Sequence, residues 1–400
     1  MEFGPISASR AEGAILAHSV RAGKKTFKKG RTLSAGDLEI LAEAGIDEVI
    51  AARLGADDVH EDEAAAEVAA AIAGPHATVA EAFTGRANIY STEPGLALID
   101  EFSINEINRL DEALTIATVP PFEAVGARQM LATVKIIPFA LSRETLAKAL
   151  SIARRGQAVS VAPFVRKRAH LIISRLPQTK PTVITKTVDV IRGRLEECGA
   201  ALGGHVVCGH TVDDVAAAIS AIPAEDTDPV LVFGASAIVD RDDVIPAGLE
   251  AAGGDVVHLG MPVDPGNLLM YGRRGKADVI GVPSCARSPK LNGFDWILQR
   301  VLAGLTIRRQ DIMGLGVGGL LKEIPSRPRP RERTPAEPQT RIAPNVSAVV
   351  LAAGRSTRMG PENKLLKAID GKAMVRRSVE SLIASGVGSI TVVTGHERGK

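Results

Sequence analysis

The chain has 400 residues, of which 45% are hydrophobic and 24% are charged, values typical of a globular protein. The formal net charge is +2 and aromatic residues make up 3% of the chain. Both values argue against a protein that binds nucleic acid, and the charge also argues against a protein held on an anionic membrane surface. At this length we expect about two to four domains.

The start of the chain, MEFGPISASRAEGA, contains no apolar signal segment. No stretch approaches the roughly 20 apolar residues that a membrane helix needs. The three cysteines, Cys198, Cys208 and Cys285, form no disulfide framework, which is typical of a reducing compartment. The sequence therefore predicts a cytoplasmic protein without a membrane or nucleic-acid partner.

Residues 1–167 predict a mixed α+β domain. Ser34 is a candidate N-cap for the first helix, and Gly45 would end that helix. A strand that contains Pro138 is expected at a sheet edge, because proline cannot donate to a neighbouring strand. The predicted elements are helices over Asp37–Ala44, Asp57–Ala73 and Phe102–Leu114, and strands at Val49–Ile50 and Leu131–Leu141.

Residues 168–321 alternate between short apolar strands and helices. This pattern predicts a parallel sheet buried on both faces, and hence a central three-layer α/β domain. The predicted strands are Leu171–Ile173, His205–Cys208, Val230–Phe233, Val256–Leu259 and Val279–Val282. The predicted helices are Val188–Cys198, Val212–Ile222, Val244–Ala252 and Phe294–Ala303.

Residues 322–345 are rich in proline and arginine and predict an extended linker. Beyond it, residues 346–400 predict a strand, a helix over Met374–Ser385 and a second strand over Ile390–Thr394. About 55 residues cannot close a doubly wound sheet. We therefore expect a partial doubly wound unit whose natural chain continues past Lys400.

A small-residue loop follows the strand that begins this last unit. Ala352, Ala353 and Gly354 have small side chains, so that backbone N–H groups can approach a nucleotide. Arg358 and Lys364 add cations that can offset charge on a triphosphate. The whole segment reads Leu351-Ala352-Ala353-Gly354-Arg355-Ser356-Thr357-Arg358-Met359-Gly360-Pro361-Glu362-Asn363-Lys364.

This segment resembles the signature of nucleotidyltransferases that activate sugars and cofactors, and especially that of the molybdenum cofactor cytidylyltransferases and guanylyltransferases. The resemblance implies that Leu351, Ala352, Ala353 and Gly354 hold the nucleobase and ribose. It also implies that Arg358 and Lys364 contact the phosphates and carry catalysis, with CTP as substrate and Mg²⁺ as cofactor. The magnesium-binding aspartate of that family would lie beyond Lys400.

A second small-residue loop follows the apolar strand Val230–Phe233. It contains Gly234 and Ser236 and then Asp240, Asp242 and Asp243, which precede a helix. Capping of that helix would account for one or two of the three aspartates. The remaining carboxylate suggests metal coordination or recognition of a donor-rich heterocycle such as a pterin.

This loop and its surroundings, about residues 168–320, resemble the molybdopterin-binding domain of molybdopterin molybdotransferases and adenylyltransferases. The resemblance implies that Gly234, Ser236, Asp240 and Asp242 bind molybdopterin. The acidic loop that the family carries near the start of this domain is absent, which argues against molybdate insertion or adenylylation. Candidate cations for the pterin's phosphate are Lys186, Arg273, Arg274, Arg287 and Lys290.

The sequence thus predicts a protein of molybdenum cofactor biosynthesis that binds molybdopterin and transfers CMP from CTP to its phosphate. The expected partners are the pterin and the nucleotide, and a molybdoenzyme or its chaperone. Two alternatives stay open. The chain is either a non-catalytic molybdopterin carrier, or a nucleotidyltransferase that acts on a sugar or polyol phosphate.

Overall fold

The computed structural model describes residues 1–223, 226, 228–321, 347–353, 364–366, 368–369, 371–385 and 387–395. The chain divides into two compact units, Met1–Lys322 and Glu323–Lys400. None of the described helices has the length and apolar character needed to cross a membrane. The predicted linker, residues 322–345, lies outside the described residues.

The amino-terminal half of the first unit is built from small antiparallel sheets and four helices among its described residues. The strands are β1 Glu2–Ser7, β2 Ile15–Leu16, β3 Val20–Ala22, β4 Lys25–Phe27, β5 Glu48–Arg53, β6 Asp58–His60, β7 Ala77–Val79, β8 Arg86–Ser91, β9 Gly95–Ile99, β10 Leu114–Thr118, β11 Ala124–Val125, β12 Met130–Ile136, β13 Ala140–Ser142 and β14 Val159–Pro163. The helices are α1 Ala35–Glu43, α2 Glu61–Ile72, α3 Glu101–Asn108 and α4 Arg143–Ala153.

The predicted start of the first helix is confirmed. Ser34 and Asp37 form a capping box at the start of α1, which satisfies backbone N–H groups that have no partner within the helix. Arg31 donates to both carboxylate oxygens of the buried Asp37, at 2.8 and 3.0 Å. These hydrogen bonds hold the pKa of Asp37 well below its ordinary value, so the cap keeps its charge.

Three predictions for this half were wrong in detail. The helix predicted from Asp57 begins only at Glu61, because β6 pairs with β13. The next helix ends at Asn108, whose side chain bonds both backbone groups of Ile116 at 2.7 and 2.9 Å and so turns the chain into β10. The strand predicted at a sheet edge is β12, which lies between β10 and β8, while Pro138 falls outside it.

The second half of the first unit is the α/β domain that the sequence predicts. Its strands are β15 Arg168–Arg175, β16 Ala201–Gly209, β17 Val230–Phe233, β18 Asp255–Leu259, β19 Met270–Arg274 and β20 Ala277–Val282. Its helices are α5 Pro181–Glu197, α6 Val212–Ser220, α7 Val244–Ala251, α8 Gly293–Leu302 and α9 Arg309–Met313.

The six strands form one sheet in the order β16-β15-β17-β20-β19-β18. The first four run parallel, whereas β19 pairs antiparallel with both β20 and β18. The sequence did not predict β19 or this antiparallel end. The class is nevertheless confirmed as α/β, with a mostly parallel sheet at its centre.

Successive residues of the central strands point to opposite faces of the sheet, as the pleat requires. Leu231 and Phe233 of β17 pack in one buried cluster with residues of α5 and α8. Val230 and Val232 pack in another with residues of α6 and α7. The domain therefore has three layers, and the apolar run of β17 arises because both of its faces are covered.

The two halves of the first unit share a core. Phe164, just after β14, belongs to the same buried cluster as Leu231. Arg166 donates to Asp278 of β20 at 2.6 Å, and the buried Tyr271 of β19 donates to the same carboxylate. The boundary at residue 167 stays a prediction, since the first unit is continuous across it.

The second unit contains β21 Ser347–Ala352, β22 Ala368–Ile369, β23 Lys372–Ala373, α10 Met374–Ala384 and β24 Ser389–Thr394. β21 and β24 pair in parallel, from Ser347 opposite Ser389 to Ala352 opposite Thr394. The strand–helix–strand order is that of the partial doubly wound unit predicted from the sequence.

Candidate functional site

Four polar side chains lie together at the carboxyl edge of the parallel strands in the first unit. Ser174 is the second-last residue of β15, His210 follows β16 directly, and Ser236 stands three residues after β17. Arg287 closes the short 3-10 helix that follows β20. These strands are neighbours in the sheet, and open α/β sheets bind ligands at this edge.

Two serines bracket the imidazole of His210. Its Nδ1 lies 2.9 Å from the Oγ of Ser174, and its Nε2 lies 2.9 Å from the Oγ of Ser236. Ser174 is buried, and its hydroxyl also donates to the carbonyl of Phe233 at 3.3 Å. It accepts from the N–H of Ala235 at 3.3 Å. The chain of hydrogen bonds thus runs from the core to the exposed Ser236.

Arg287 brings a partly buried cation to the same edge. Its Nη2 donates to the carbonyl of Gly234 at 3.1 Å, and its guanidinium lies 5.1 Å from the centre of the Phe233 ring. Burial lowers the pKa of this guanidinium. Its Nε is buried and finds no hydrogen-bond partner among the described residues. The partly exposed guanidinium as a whole can pair with an anionic ligand.

A second arginine fixes the segment that carries Arg287. Arg194 of α5 is buried and donates to three carbonyls of this segment, those of Ala286, Ser288 and Lys290, at 2.8–3.0 Å. Its Nε also donates to Asp295 of α8 at 2.5 Å. These three carbonyls of the segment that carries Arg287 therefore have hydrogen-bond partners, although they belong to neither a strand nor an α-helix.

The residues predicted to bind molybdopterin fall into two groups. Gly234 and Ser236 lie at the edge beside Arg287, in a turn so tight that a Cβ at Gly234 would come within 2.7 Å of the carbonyl oxygen of Ser236. Asp240 and Asp242 are exposed and lie further along the loop. Asp240 accepts from the N–H of Asp242 at 2.9 Å, a local turn contact.

Asp243 has a structural role in this loop. Its Oδ2 accepts from the N–H groups of Val239 and Asp240, at 2.6 and 2.9 Å. It is also the N-cap residue of α7, although its side chain makes no capping hydrogen bond to that helix. The prediction that these aspartates cap α7 through their side chains is therefore wrong, because Asp243 and Asp240 accept from N–H groups of the loop instead. The pterin-binding role of Asp240 and Asp242 stays a prediction.

Sequence reasoning did not single out Ser174 or His210 as site residues. The signal was present, because each residue is polar and stands at or just after the carboxyl end of a strand, as Ser236 does. Arg287 was among the candidate cations, and the structure singles it out by placing it at this edge.

In the second unit the structure describes only part of the predicted nucleotide loop. Leu351 and Ala352 end β21, and Ala353 follows. A Cβ at Gly395, just after β24, would come within 2.8 Å of the Ala353 Cβ, so the two parallel strands end side by side. Lys364 begins a short 3-10 helix, although its side chain is outside the described residues, as are Gly354 and Arg358.

Two other features of the first unit could hold a ligand. A cavity of about 910 Å³ opens between the segment at Phe122 and α8, where Arg300 lies 4.2 Å from the centre of the Phe122 ring. Among the described residues, a group that could ligate a metal is His170, Asp226 and Asp228, whose ligand atoms lie within 4.8 Å of one another. Both features lie outside the carboxyl-edge group.

β21 and β24 form a parallel pair, as in sheets that bind nucleotides at their carboxyl edge. Residues 348–400 match the MobA-like NTP transferase domain. The similarity to a nucleotidyltransferase family is limited to this stretch of the chain. Residues 5–53 match a domain of unknown function, DUF8806. No curated protein matches the chain.

Several solved structures resemble parts of the chain at low identity. Molybdenum cofactor biosynthesis protein B is 17% identical, with 34% of this chain and 94% of that chain covered and a TM-score of 0.25. The molybdopterin biosynthesis moea protein from Pyrococcus horikosii is 11% identical, with 76% and 75% covered and a TM-score of 0.27. A molybdenum cofactor biosynthesis protein from Pyrococcus furiosus is 13% identical, with 78% and 65% covered and a TM-score of 0.21.

Proposed function

We propose that the chain acts in molybdenum cofactor biosynthesis, binding molybdopterin on its first unit and contributing the MobA-like unit that transfers CMP from CTP to the pterin's phosphate. The observation that carries this proposal is the match of residues 348–400 to the MobA-like NTP transferase domain. The sequence resemblance of residues 168–320 to molybdopterin-binding domains supports the choice of substrate.

The carboxyl edge of the first unit suits an anionic, hydrogen-bonding ligand. Arg287 offers a desolvated cation and an unpartnered Nε, and Ser236 offers an exposed hydroxyl. A phosphate monoester such as that of molybdopterin matches both, because its oxygens accept from guanidinium and hydroxyl donors. The exposed carboxylates of Asp240 and Asp242 would accept from the amino and ring N–H groups of the pterin.

The proposed reaction is an in-line displacement. An oxygen of the molybdopterin phosphate attacks the α-phosphorus of CTP, the bond to the bridging oxygen breaks, and pyrophosphate leaves. Leu351, Ala352, Ala353 and Gly354 would hold the nucleoside, and Arg358 and Lys364 would stabilise the charge that develops on the phosphates. The rate would then come from positioning and charge, without a covalent intermediate on the protein.

The described residues do not supply a magnesium site for this step. In the described part of the second unit Glu380 is the one carboxylate, and Lys372 and Arg376 hold it at 2.8 and 3.1 Å. Mg²⁺ needs carboxylate or phosphate oxygens in an open site. Mg²⁺ nevertheless belongs in the assay, because nucleotides carry it.

The transfer is tested by pyrophosphate release from CTP and Mg²⁺ in the presence of molybdopterin. We expect release with molybdopterin and none with polyol phosphates, and a loss of at least tenfold on replacing Arg358 or Lys364 with alanine. Arg376→Ala is the matched control, since this exposed arginine contacts only Glu380 among the described interactions. Release with a polyol phosphate instead would contradict the choice of substrate, and faster release with GTP would contradict the choice of nucleotide.

Binding is tested separately by titrating the pterin chromophore with the protein. Arg287→Met should weaken binding by at least about tenfold, the loss expected for a charge-assisted hydrogen bond. Arg192→Met, a change at an exposed arginine of α5, should not. Binding that persists without any pyrophosphate release would favour the non-catalytic carrier. Equal binding by the two variants would remove the carboxyl edge as the pterin site.

A further inference from the structure

We propose that Ser236 is a nucleophile activated by His210, and that it gives the first unit a hydrolytic activity toward small carboxylic esters that carry an anionic group. This activity goes beyond the proposed CMP transfer and does not require molybdopterin. The observation behind it is the hydrogen-bonded row Ser174–His210–Ser236, in which a hydroxyl, an imidazole and an orienting group are in contact.

The hydrogen bonds of Ser174 allow His210 to act as a base at Nε2. When the Ser174 hydroxyl donates to the carbonyl of Phe233, its Oγ accepts from Nδ1 of His210. In that tautomer Nε2 has a lone pair and lies 2.9 Å from the Ser236 Oγ. Neutral His210 is then a base placed against the proton of Ser236.

The position of Ser236 suits a nucleophile. It is exposed, whereas Ser174, the group that orients the histidine, is buried at 2% exposure. The turn that holds Ser236 is short and tight, since Gly234 approaches the Ser236 carbonyl too closely for any side chain. The hydroxyl is thus presented to solvent from a fixed backbone, with its base supplied by the neighbouring strand end.

Arg287 indicates the substrate class. Its guanidinium donates to the carbonyl of Gly234, two residues before Ser236, and its Nε has no partner among the described residues. A substrate with a carboxylate or phosphate near its ester bond would pair with this partly exposed guanidinium. The same cation would stabilise negative charge that develops on the ester oxygen during attack.

The reaction balances with water as the second reactant. The Oγ of Ser236 bonds to the acyl carbon while its proton passes to Nε2 of His210. The ester C–O bond breaks, and the leaving alcohol takes that proton. Water then attacks the acyl-serine and gives a proton to Nε2, which returns it to Oγ as the carboxylic acid departs.

The test is covalent labelling of the full chain with a fluorophosphonate probe, read by mass spectrometry of the labelled peptide. We expect the label on Ser236, with a labelling rate at least 100-fold lower in His210→Gln, since a general base contributes about 10²–10⁴-fold. Ser284→Ala is the matched control, an exposed serine that follows β20 at the same sheet edge, and it should label as the wild type does. Hydrolysis of an anionic p-nitrophenyl ester should likewise be slow in His210→Gln and unchanged in Ser284→Ala.

Ser174 is a positioning residue in this proposal, and its role has a separate readout. Ser174→Ala frees His210 to place its proton on either nitrogen, so labelling should slow about tenfold at every pH while Trp296 emission stays native. The proposal fails if the folded wild type takes no label, if the label lies on another serine, or if folded His210→Gln labels at the wild-type rate.

Discussion

The buried ion pair between Arg194 and Asp295 makes a sharp prediction about stability. Arg194 joins α5 to α8 through Asp295 and also holds the segment at Arg287 through backbone carbonyls. The Arg194 and Asp295 side chains are only 7% and 12% exposed. Replacing Arg194 with methionine keeps most of the aliphatic volume and removes every one of these hydrogen bonds.

The size of the effect follows from what is left behind. Breaking a buried pair by removing one partner costs about 3–5 kcal/mol, because the other charge stays buried and unpaired. Burial already raises the pKa of Asp295, and Arg194 opposes that rise. Without the arginine the pKa of Asp295 should rise further. Protonation then relieves the unpaired charge, so the loss of stability should be largest at neutral pH and should shrink as the pH falls.

Urea unfolding followed by fluorescence measures this directly. The single tryptophan, Trp296, adjoins Asp295 on α8 and reports on the same core. We expect Arg194→Met to lower the free energy of unfolding by about 3 kcal/mol or more at pH 7. Adding Asp295→Asn to Arg194→Met should restore about 1–2 kcal/mol, since it removes the unpaired charge.

Arg192→Met is the matched control for this variant. Arg192 is two residues away on α5 and pairs with Asp189 at 2.8 Å, but both side chains are about half exposed. An exposed pair of this kind contributes less than about 1 kcal/mol. Equal effects of Arg192→Met and Arg194→Met, or no recovery in the double variant, would refute the reasoning.

Three further predictions concern packing, ionisation and thiol reactivity. Gly248→Ala should destabilise the chain by about 1–3 kcal/mol, because its Cβ would come within 2.7 Å of a side chain of α6. Gly193→Ala has open space around the new Cβ and should stabilise the chain by up to about 1 kcal/mol. Equal urea midpoints for the two variants would contradict this. Burial raises the pKa of Tyr271, so in Tyr90→Phe the remaining tyrosine should not ionise near pH 10, where an ordinary tyrosine does. The stability that neutral Tyr271 contributes should be complete below the ordinary tyrosine pKa and should be lost as the pH rises through the raised pKa. Phenolate absorbance near pH 10 before unfolding would contradict this. Burial raises the pKa of Cys198 to about 11, so a disulfide reagent at pH 8 should leave it unmodified until the protein unfolds, as peptide mapping would show.

The sequence predicts the central domain well, and physical periodicity explains why. β17 is found at the predicted residues, Val230–Phe233, because a strand covered on both faces is apolar throughout. β19 was missed because Met270–Arg274 contains glycine and two arginines and reads as a loop. Its strand character comes from pairing with β20, a contact between separate segments that no local pattern shows.

The amino-terminal half was harder to predict for the same reason. Asp58–His60 precedes an alanine-rich helix and continues its acidic pattern, so local propensity assigns it to the helix. Pairing with Ala140–Ser142, about eighty residues away, makes it a strand. β12 also lies inside its sheet because β10 and β8 pair with it on both sides. The nearby Pro138 had indicated an edge strand instead.

The candidate site shows where sequence reasoning succeeds and where it ends. A glycine and a serine after an apolar strand predict that Gly234 and Ser236 lie at the carboxyl edge of the sheet, and the structure places them at that edge. Their binding of molybdopterin stays a prediction. Ser174 and His210 could not be joined to them from sequence, because their contacts depend on the order β16-β15-β17. The same order makes the contacts specific, since β15 lies between the strands that present His210 and Ser236.

An energetic argument links this order of strands to function. Burying Arg287 with an unpartnered Nε is unfavourable for the folded protein on its own. Arg194 is nevertheless used to fix the segment that holds Arg287, and its own charge requires Asp295. A buried and a partly buried arginine at one sheet edge are hard to explain as a means of stabilising the core, because apolar residues would fill the same volume at lower cost. An anion that pairs with the partly exposed guanidinium of Arg287 would recover this cost, and the neighbouring row Ser174–His210–Ser236 would then have a charged substrate held beside its exposed hydroxyl.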